Sequence, residues 1–300
     1  MAESRNNHFR INRLVIYLGI FWIIDGLLQF QPKLLTSNFI TEVIQPTLKN
    51  SPSQIEKLSS FLSHIFLLNP IIFGILIGLI QISIGCLIIS KKYRMAGLYS
   101  SLIWSIFVWI FGQGLGDIFN HKFNFLMGSP GPSLFYILVS IYFILKFKTY
   151  IFWSDIVLIF SWLVFWLVQL FSVLLNPKLV YMMFKSPLDH QLPLYLMFLV
   201  KNLHNFVSSN LNTTLILMIL VSIVASFYLF FNQTFKIIIT FLWVIYLSVI
   251  FILMQNFNDY YTGLMTDIGI LPIIVFIGVI LNYTKPQVDN LFRQIEKILF

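Results

Sequence analysis

The sequence predicts an all-α, polytopic membrane protein. Eight transmembrane helices form two parallel four-helix repeats, with interfacial helices on the outer side. Three observations lead there. The 300 residues are 58% hydrophobic and only 10% charged, with a mean hydropathy of +0.87. A soluble domain carries roughly 25% charged residues to face water, so the solvent around most of this chain must be lipid. Apolar runs recur at about the 20-residue length that crosses a bilayer, at 12–30, 66–90, 95–113, 130–148, 151–175, 211–231, 235–255 and 266–284. None of them alternates with period two. Only helices and closed barrels satisfy their backbone in lipid, so the runs are helices.

The first run follows the basic segment MAESRNNHFRINR with no small-residue cleavage site after it. It reads as a retained anchor rather than a signal peptide. Stretches 31–65 and 176–210 are too polar to span. Both hold apolar residues at partly helical spacing, such as Ile55, Leu58, Phe61 and Leu62, which predicts short helices lying against the outer surface of the bundle. At the far end, KPQVDNLFRQIEKILF puts Val288, Leu291, Ile295 and Leu299 on one face, the pattern of an amphipathic surface helix.

Lys and Arg set the orientation. Arg5, Arg10, Arg13, Lys91, Lys92, Arg94, Lys146, Lys148, Lys236, Lys285, Arg293 and Lys297 fall on one side of the predicted bundle. The other side holds fewer, mostly in the two long loops. By the positive-inside rule the first side is cytoplasmic, which makes this a multi-pass protein of the cell membrane with both termini inside. The net charge of +8 is thereby a matter of topology. No basic block or RNA-binding motif accompanies it, and nucleic acid is not an expected partner.

The two halves match in order. FWIIDGLLQFQPKLL (Phe21–Leu35) returns as FWLVQLFSVLLNPKLV (Phe165–Val180), with one residue inserted. The segment from Leu67 pairs with that from Asn210, setting Asn69 opposite Asn212. LIWSIFVWIF from Leu102 pairs with FLWVIYLSVI from Phe241, and LMGSPGPSL from Leu126 with LMTDIGILP from Leu264. An acid precedes the last pair in each half, Asp117 and Asp259. An even number of spans per unit makes the repeats, 1–148 and 149–300, parallel.

The four-helix unit resembles the DoxX/DoxD-like membrane proteins, on WIIDGLLQFQPKLL at the end of the first helix and GLMTDIGILP leading into the last. The resemblance implies a membrane subunit, in some members linked to sulfur or thiol oxidation and quinone reduction. A single cysteine, Cys86, departs from thiol–disulfide chemistry, because one thiol forms neither a bridge nor a Cys-x-x-Cys pair.

Candidate site residues collect at the predicted outer helix ends. Asp25 is the one acid deep in an apolar run. Such a residue costs about 2.5–3.5 kcal/mol at a helix centre, and so takes either a bond to a neighbouring helix or a proton or ligand role. Gln29, Asn69, Gln113, Asp117, Asn212, Asp259 and Asp267 lie at the same level, with Gln31, Gln255, Asn256 and Asn258. Beside Trp22, Trp104, Trp109 and Tyr260 they could hold a quinone or a lipid headgroup, or simply be interfacial polarity. Asp155 or Ser154 reads as a helix cap or first-turn acid. Gly112, Gly114, Gly116, Gly128 and Gly131 serve tight packing, turns with positive φ, or close approach to a ligand. The outer-side His64, His121, His190 and His204 show no compact ligand spacing, so no metal site is assigned.

Three function classes remain: a quinone-linked or accessory redox subunit, a small-solute permease, and an assembly partner whose outer loops dock a membrane or extracytoplasmic protein. No nucleophile elbow, zincin motif or Walker lysine supports a stand-alone enzyme.

Overall fold

A computed structural model describes residues 2–48, 51–116, 128–185, 188, 192–254 and 260–284. Within them the chain is helical, with no strand. The helices are α1 (Ala2–Leu28), α2 (Ser53–Leu68), α3 (Pro70–Ile89), α4 (Arg94–Phe107), α5 (Pro132–Phe147), α6 (Ile151–Leu175), α7 (Pro177–Lys185), α8 (Leu194–Ser209), α9 (Leu211–Ser226), α10 (Gln233–Met254) and α11 (Ile270–Thr284). A π-helical turn, Phe39–Ile44, runs into Gln45–Leu48, and a second one, Val108–Gly112, extends α4.

Five helices are long and apolar enough to cross a membrane, starting at Ile11, Pro70, Arg94, Ile151 and Thr234. A sixth span results if α8 and α9, bent by 98° at their junction, are taken together. The apolar segments Pro132–Phe147 and Ile270–Asn282 are shorter. α5 is cut short because Pro132, which lacks an N–H, opens the helix at its first turn. Large apolar side chains face outward along the spans, among them Ile103 at 68% exposure and Phe241 at 65%. Lipid, not water, is the solvent for such a surface, and the protein is a helical membrane protein.

Packing follows residue size. α1 and α3 run antiparallel and touch backbone to backbone. A Cβ on Gly26 would lie 2.7 Å from the Gly78 carbonyl, and one on Gly85 2.5 Å from that of Gly19. Any larger residue there would push the helices apart. α6 packs on α9 differently, with Trp162 Nε1–H donating to the Ala225 carbonyl at 2.9 Å. Trp162, Trp166, Tyr228 and Trp243 fill that half with an aromatic cluster, and Trp166 and Trp243 stack at 5.4 Å. α5 packs on α6, and α11 on α1, α5 and α6.

One expectation changes at a helix end. Tyr150, not Ser154 or Asp155, precedes α6. Ser154 Oγ donates back to the Ile151 carbonyl, and Asp155 pairs with Lys146 at 3.0 Å, an opposite charge brought close by the tight α5–α6 turn. Asn69 joins α2 to α3 as Asn210 joins α8 to α9. The C-terminal amphipathic segment lies outside the described residues.

Candidate functional site: a cavity beside Asp25

At the end of the bundle where α1 stops and α5 starts, a cavity of about 620 Å³ opens among α1, α2, α3, α4 and the loops ahead of α5 and α11. That volume suits a small ligand. Its roof comes from the turn at Phe39–Ile44 and from α2, so the stretch expected to lie on the surface of the bundle forms a wall of the site.

Asp25 forms the polar floor. It is 1% exposed and accepts from the Tyr136 hydroxyl of α5 at 2.5 Å and from the Ile268 N–H at 2.9 Å. One turn later, the Gln29 amide donates to the Thr266 carbonyl at 2.7 Å, and Gln31 to that of Met265 at 2.7 Å. Three side chains at the end of α1 thus latch the 265–268 segment, which brings Asp267 into the lining. Asp267 accepts from the Gly269 N–H at 2.8 Å and the Thr266 hydroxyl at 3.0 Å. Below Asp25, Trp22 Nε1–H donates to Ser101 Oγ at 2.8 Å, and Ser101 pairs with Ser140 at 2.7 Å. These bonds tie α1, α4 and α5 together.

The glycine-dense stretch forms the opposite rim. Gly116 holds a φ of +61°, and a Cβ there would overlap the Pro130 carbonyl. Two backbone segments therefore meet in van der Waals contact, which only glycine allows. Trp109 Nε1–H donates to the same carbonyl at 2.8 Å, and Gln113 sits over Gly131. Thr47 and Ser51 donate to the carbonyls of Gly112 and Gly114 at 3.0 Å each, fastening the roof to the rim.

Three residues that line the cavity each hold a buried polar atom with no hydrogen-bond partner: Ser59 Oγ, Gln81 Oε1 and Trp104 Nε1. Ser59 is 1% exposed and Gln81 7%. An unmet buried polar atom costs about 1–3 kcal/mol.

Of the expected site residues, the cavity unites Asp25, Gln29, Gln113 and Asp267, with Trp22 and Trp104. Asn69 is elsewhere: its side chain accepts from the Ile72 N–H at 3.2 Å and caps α3, because a helix that restarts at Pro70 needs an acceptor there. Asn212 is exposed on α9, away from the lining. Asp117, Asp259, Gln255, Asn256, Asn258, His121 and His190 lie outside the described residues. Among the described residues no three His, Cys, Asp or Glu gather as metal ligands. His64 bonds within its own helix to the Ser60 carbonyl.

Sequence reasoning missed Tyr136, Ser59 and Gln81. A lone amide in the apolar run of α3 is the same signal that marked Asp25, and it would have found Gln81. A scan of protein-family models and comparisons with curated proteins and solved structures find no match.

Proposed function

We propose that this protein, a DoxX-like multi-pass protein of the cell membrane, binds a lipid-derived amphiphile in the cavity beside Asp25 as a redox-linked or accessory subunit. The observation that carries this reading is the cavity itself: apolar walls from α2 and α3 and a polar floor at Asp25 and Gln29. In this reading the cavity lies at the outer leaflet, both termini are cytoplasmic, and the short helices α5, α9 and α11 bring the crossings to eight. Several features support two repeats. α1 packs on α3 as α6 packs on α9, and the breaks at Asn69 and Asn210 correspond. A quinone is the ligand that the family resemblance suggests.

Photolabelling tests the site. A single-chain amphiphile with a diazirine on its tail is expected to label peptides from 59–66 and 73–81 saturably, with loss of label when unlabelled membrane lipid extract is added. Label spread only over the outward faces around Ile103 and Phe241 would refute the site.

A second reading has one observation in its favour. The 98° break between α8 and α9 at Asn210 is the kind of discontinuity on which permeases build solute sites. Solute flux into proteoliposomes that is abolished by replacing Asn210 would favour it.

A further inference from the structure

We propose that Arg94 holds the phosphate of an anionic phospholipid at the end of the bundle opposite the cavity, with Lys91, Lys92 and Lys148 gathered around it. The site is separate from the cavity beside Asp25 and stands or falls without it.

The guanidinium sets the chemistry. Arg94 opens α4 on its buried face, in line with Leu98, Ser101 and Ser105, and is only 7% exposed. Its Nε–H donates to the Ile88 carbonyl at 3.2 Å, and its Nη1–H donates to Asn12 Oδ1. The first bond serves the end of α3, where the last carbonyls lack helical donors. The second ties α4 to α1. The guanidinium carbon lies 5.5 Å from the centre of the Phe147 ring, at the end of α5. These partners orient the charge, but both acceptors are neutral.

The charge itself is left over. Among the described residues the one ion pair is Lys146 with Asp155, so no carboxylate there offsets Arg94. A cation held this deep is costly without an anion. Its third nitrogen, Nη2, makes no bond among the described residues and is not closed off by its neighbours. It offers two N–H groups of the planar fork that matches phosphate.

The surroundings add charge of the same sign. Lys91 and Lys92 lie in the turn that leads into Arg94, and Lys148 follows the Phe147 that Arg94 covers. All three are exposed. Lys92 Nζ sits 5.1 Å over the Tyr93 ring and Lys148 Nζ 5.4 Å over that of Tyr99, which keeps both ammonium groups at the level of the headgroups. Asp155 is the only acid at this end among the described side chains, and Lys146 takes it. Basic pockets between membrane helices suit anionic headgroups. Tyr99 and Ile103, one turn apart on the outward face of α4, are 38% and 68% exposed and give the acyl chains an apolar path. A lipid phosphate gains from both surfaces, whereas free phosphate meets only the cations.

Delipidated protein in an uncharged detergent would be titrated with dioleoylphosphatidylglycerol, the matching phosphatidylcholine and inorganic phosphate. Binding would be read as saturable thermal stabilisation and as lipid adducts in native mass spectra. Phosphatidylglycerol is expected to bind at least tenfold more tightly than phosphatidylcholine, and Arg94→Gln to abolish that preference. Because Arg94→Gln also loses two structural bonds, a second variant carries the test. Lys91→Gln, Lys92→Gln and Lys148→Gln combined should lose the preference yet melt like the wild type without lipid, since all three side chains are exposed. Replacing Lys178, Lys185 and Lys201 by Gln removes the same charge from the other end and should leave the preference intact. Equal binding of the two lipids would overturn the proposal. So would a preference that survives the first triple variant or a folded Arg94→Gln, or one that falls equally in both triples, which would mean diffuse attraction. Stabilisation by inorganic phosphate as large as by the lipid would overturn the lipid as occupant.

Discussion

The same sequence step gives two different interiors. In the first half Phe21-Trp22 leads to Asp25, and in the second Phe165-Trp166 leads to Gln169. Asp25 is bonded to Tyr136 and to the Ile268 N–H and faces an open cavity. Gln169 is as deeply buried, at 1% exposure, yet neither amide atom has a partner, nor do Trp166 Nε1 and Ser172 Oγ on the same helix. Around Asp25, glycines let α1 and α3 close up, and space is left between α2 and α4. One to two turns before Gln169 on the same helix, Trp162 and Trp166 pack with Tyr228 and Trp243. The first half leaves a cavity open beside Asp25, and the second packs an aromatic cluster of Trp162, Trp166, Tyr228 and Trp243.

The comparison can be broken at the glycines, with the largest effect. Gly85→Leu places a side chain on the Gly19 carbonyl, and overpacking of this kind costs about 3 kcal/mol. The expected outcome is loss of the monodisperse peak on size exclusion, while a leucine at Ile219, on α9, leaves it intact. Next comes Asp25→Leu, which strands the Ile268 N–H and the Tyr136 hydroxyl. Unmet buried groups predict a loss of about 2 kcal/mol, read as a lower melting temperature in detergent.

Tyr136→Phe removes a single buried hydrogen bond and should cost about 1 kcal/mol by the same assay. Gln169→Leu sharpens the contrast with the opposite sign. It removes two unmet atoms and should leave stability unchanged or raise it by about 1 kcal/mol. If Gln169→Leu instead destabilised the protein as much as Asp25→Leu, the two positions would be equivalent and the asymmetry wrong.

Helix content was legible in the apolar runs, since each of the eight contains a helix. Their lengths were less so, because Pro132 shortens α5 and α9 ends at Ser226 although its apolar run continues to 231. Asp25 announced itself by charge. Its partners did not, because Tyr136 is 111 residues away and Ile268 is 243. A backbone N–H leaves no trace in composition. The glycine stretch was legible as a close approach, but not as the approach of Gly116 to Pro130. Asn69 was legible as a helix-end polar residue but not as the cap of α3, because asparagine there satisfies backbone donors as readily as it faces a ligand.

If the cavity beside Asp25 holds a ligand, filling the cavity must displace it. Ser63 lines it and uses its hydroxyl only on the Ser59 carbonyl of its own helix, so Ser63→Phe should occupy the space with little harm to the fold. The measurement is mass spectrometry of small molecules retained after gentle purification of both proteins. One ligand per wild-type chain and none in Ser63→Phe, at matched melting temperature, is the expected result. A wild-type protein that retains nothing, or a variant that retains just as much, would mean that the cavity is not a ligand site.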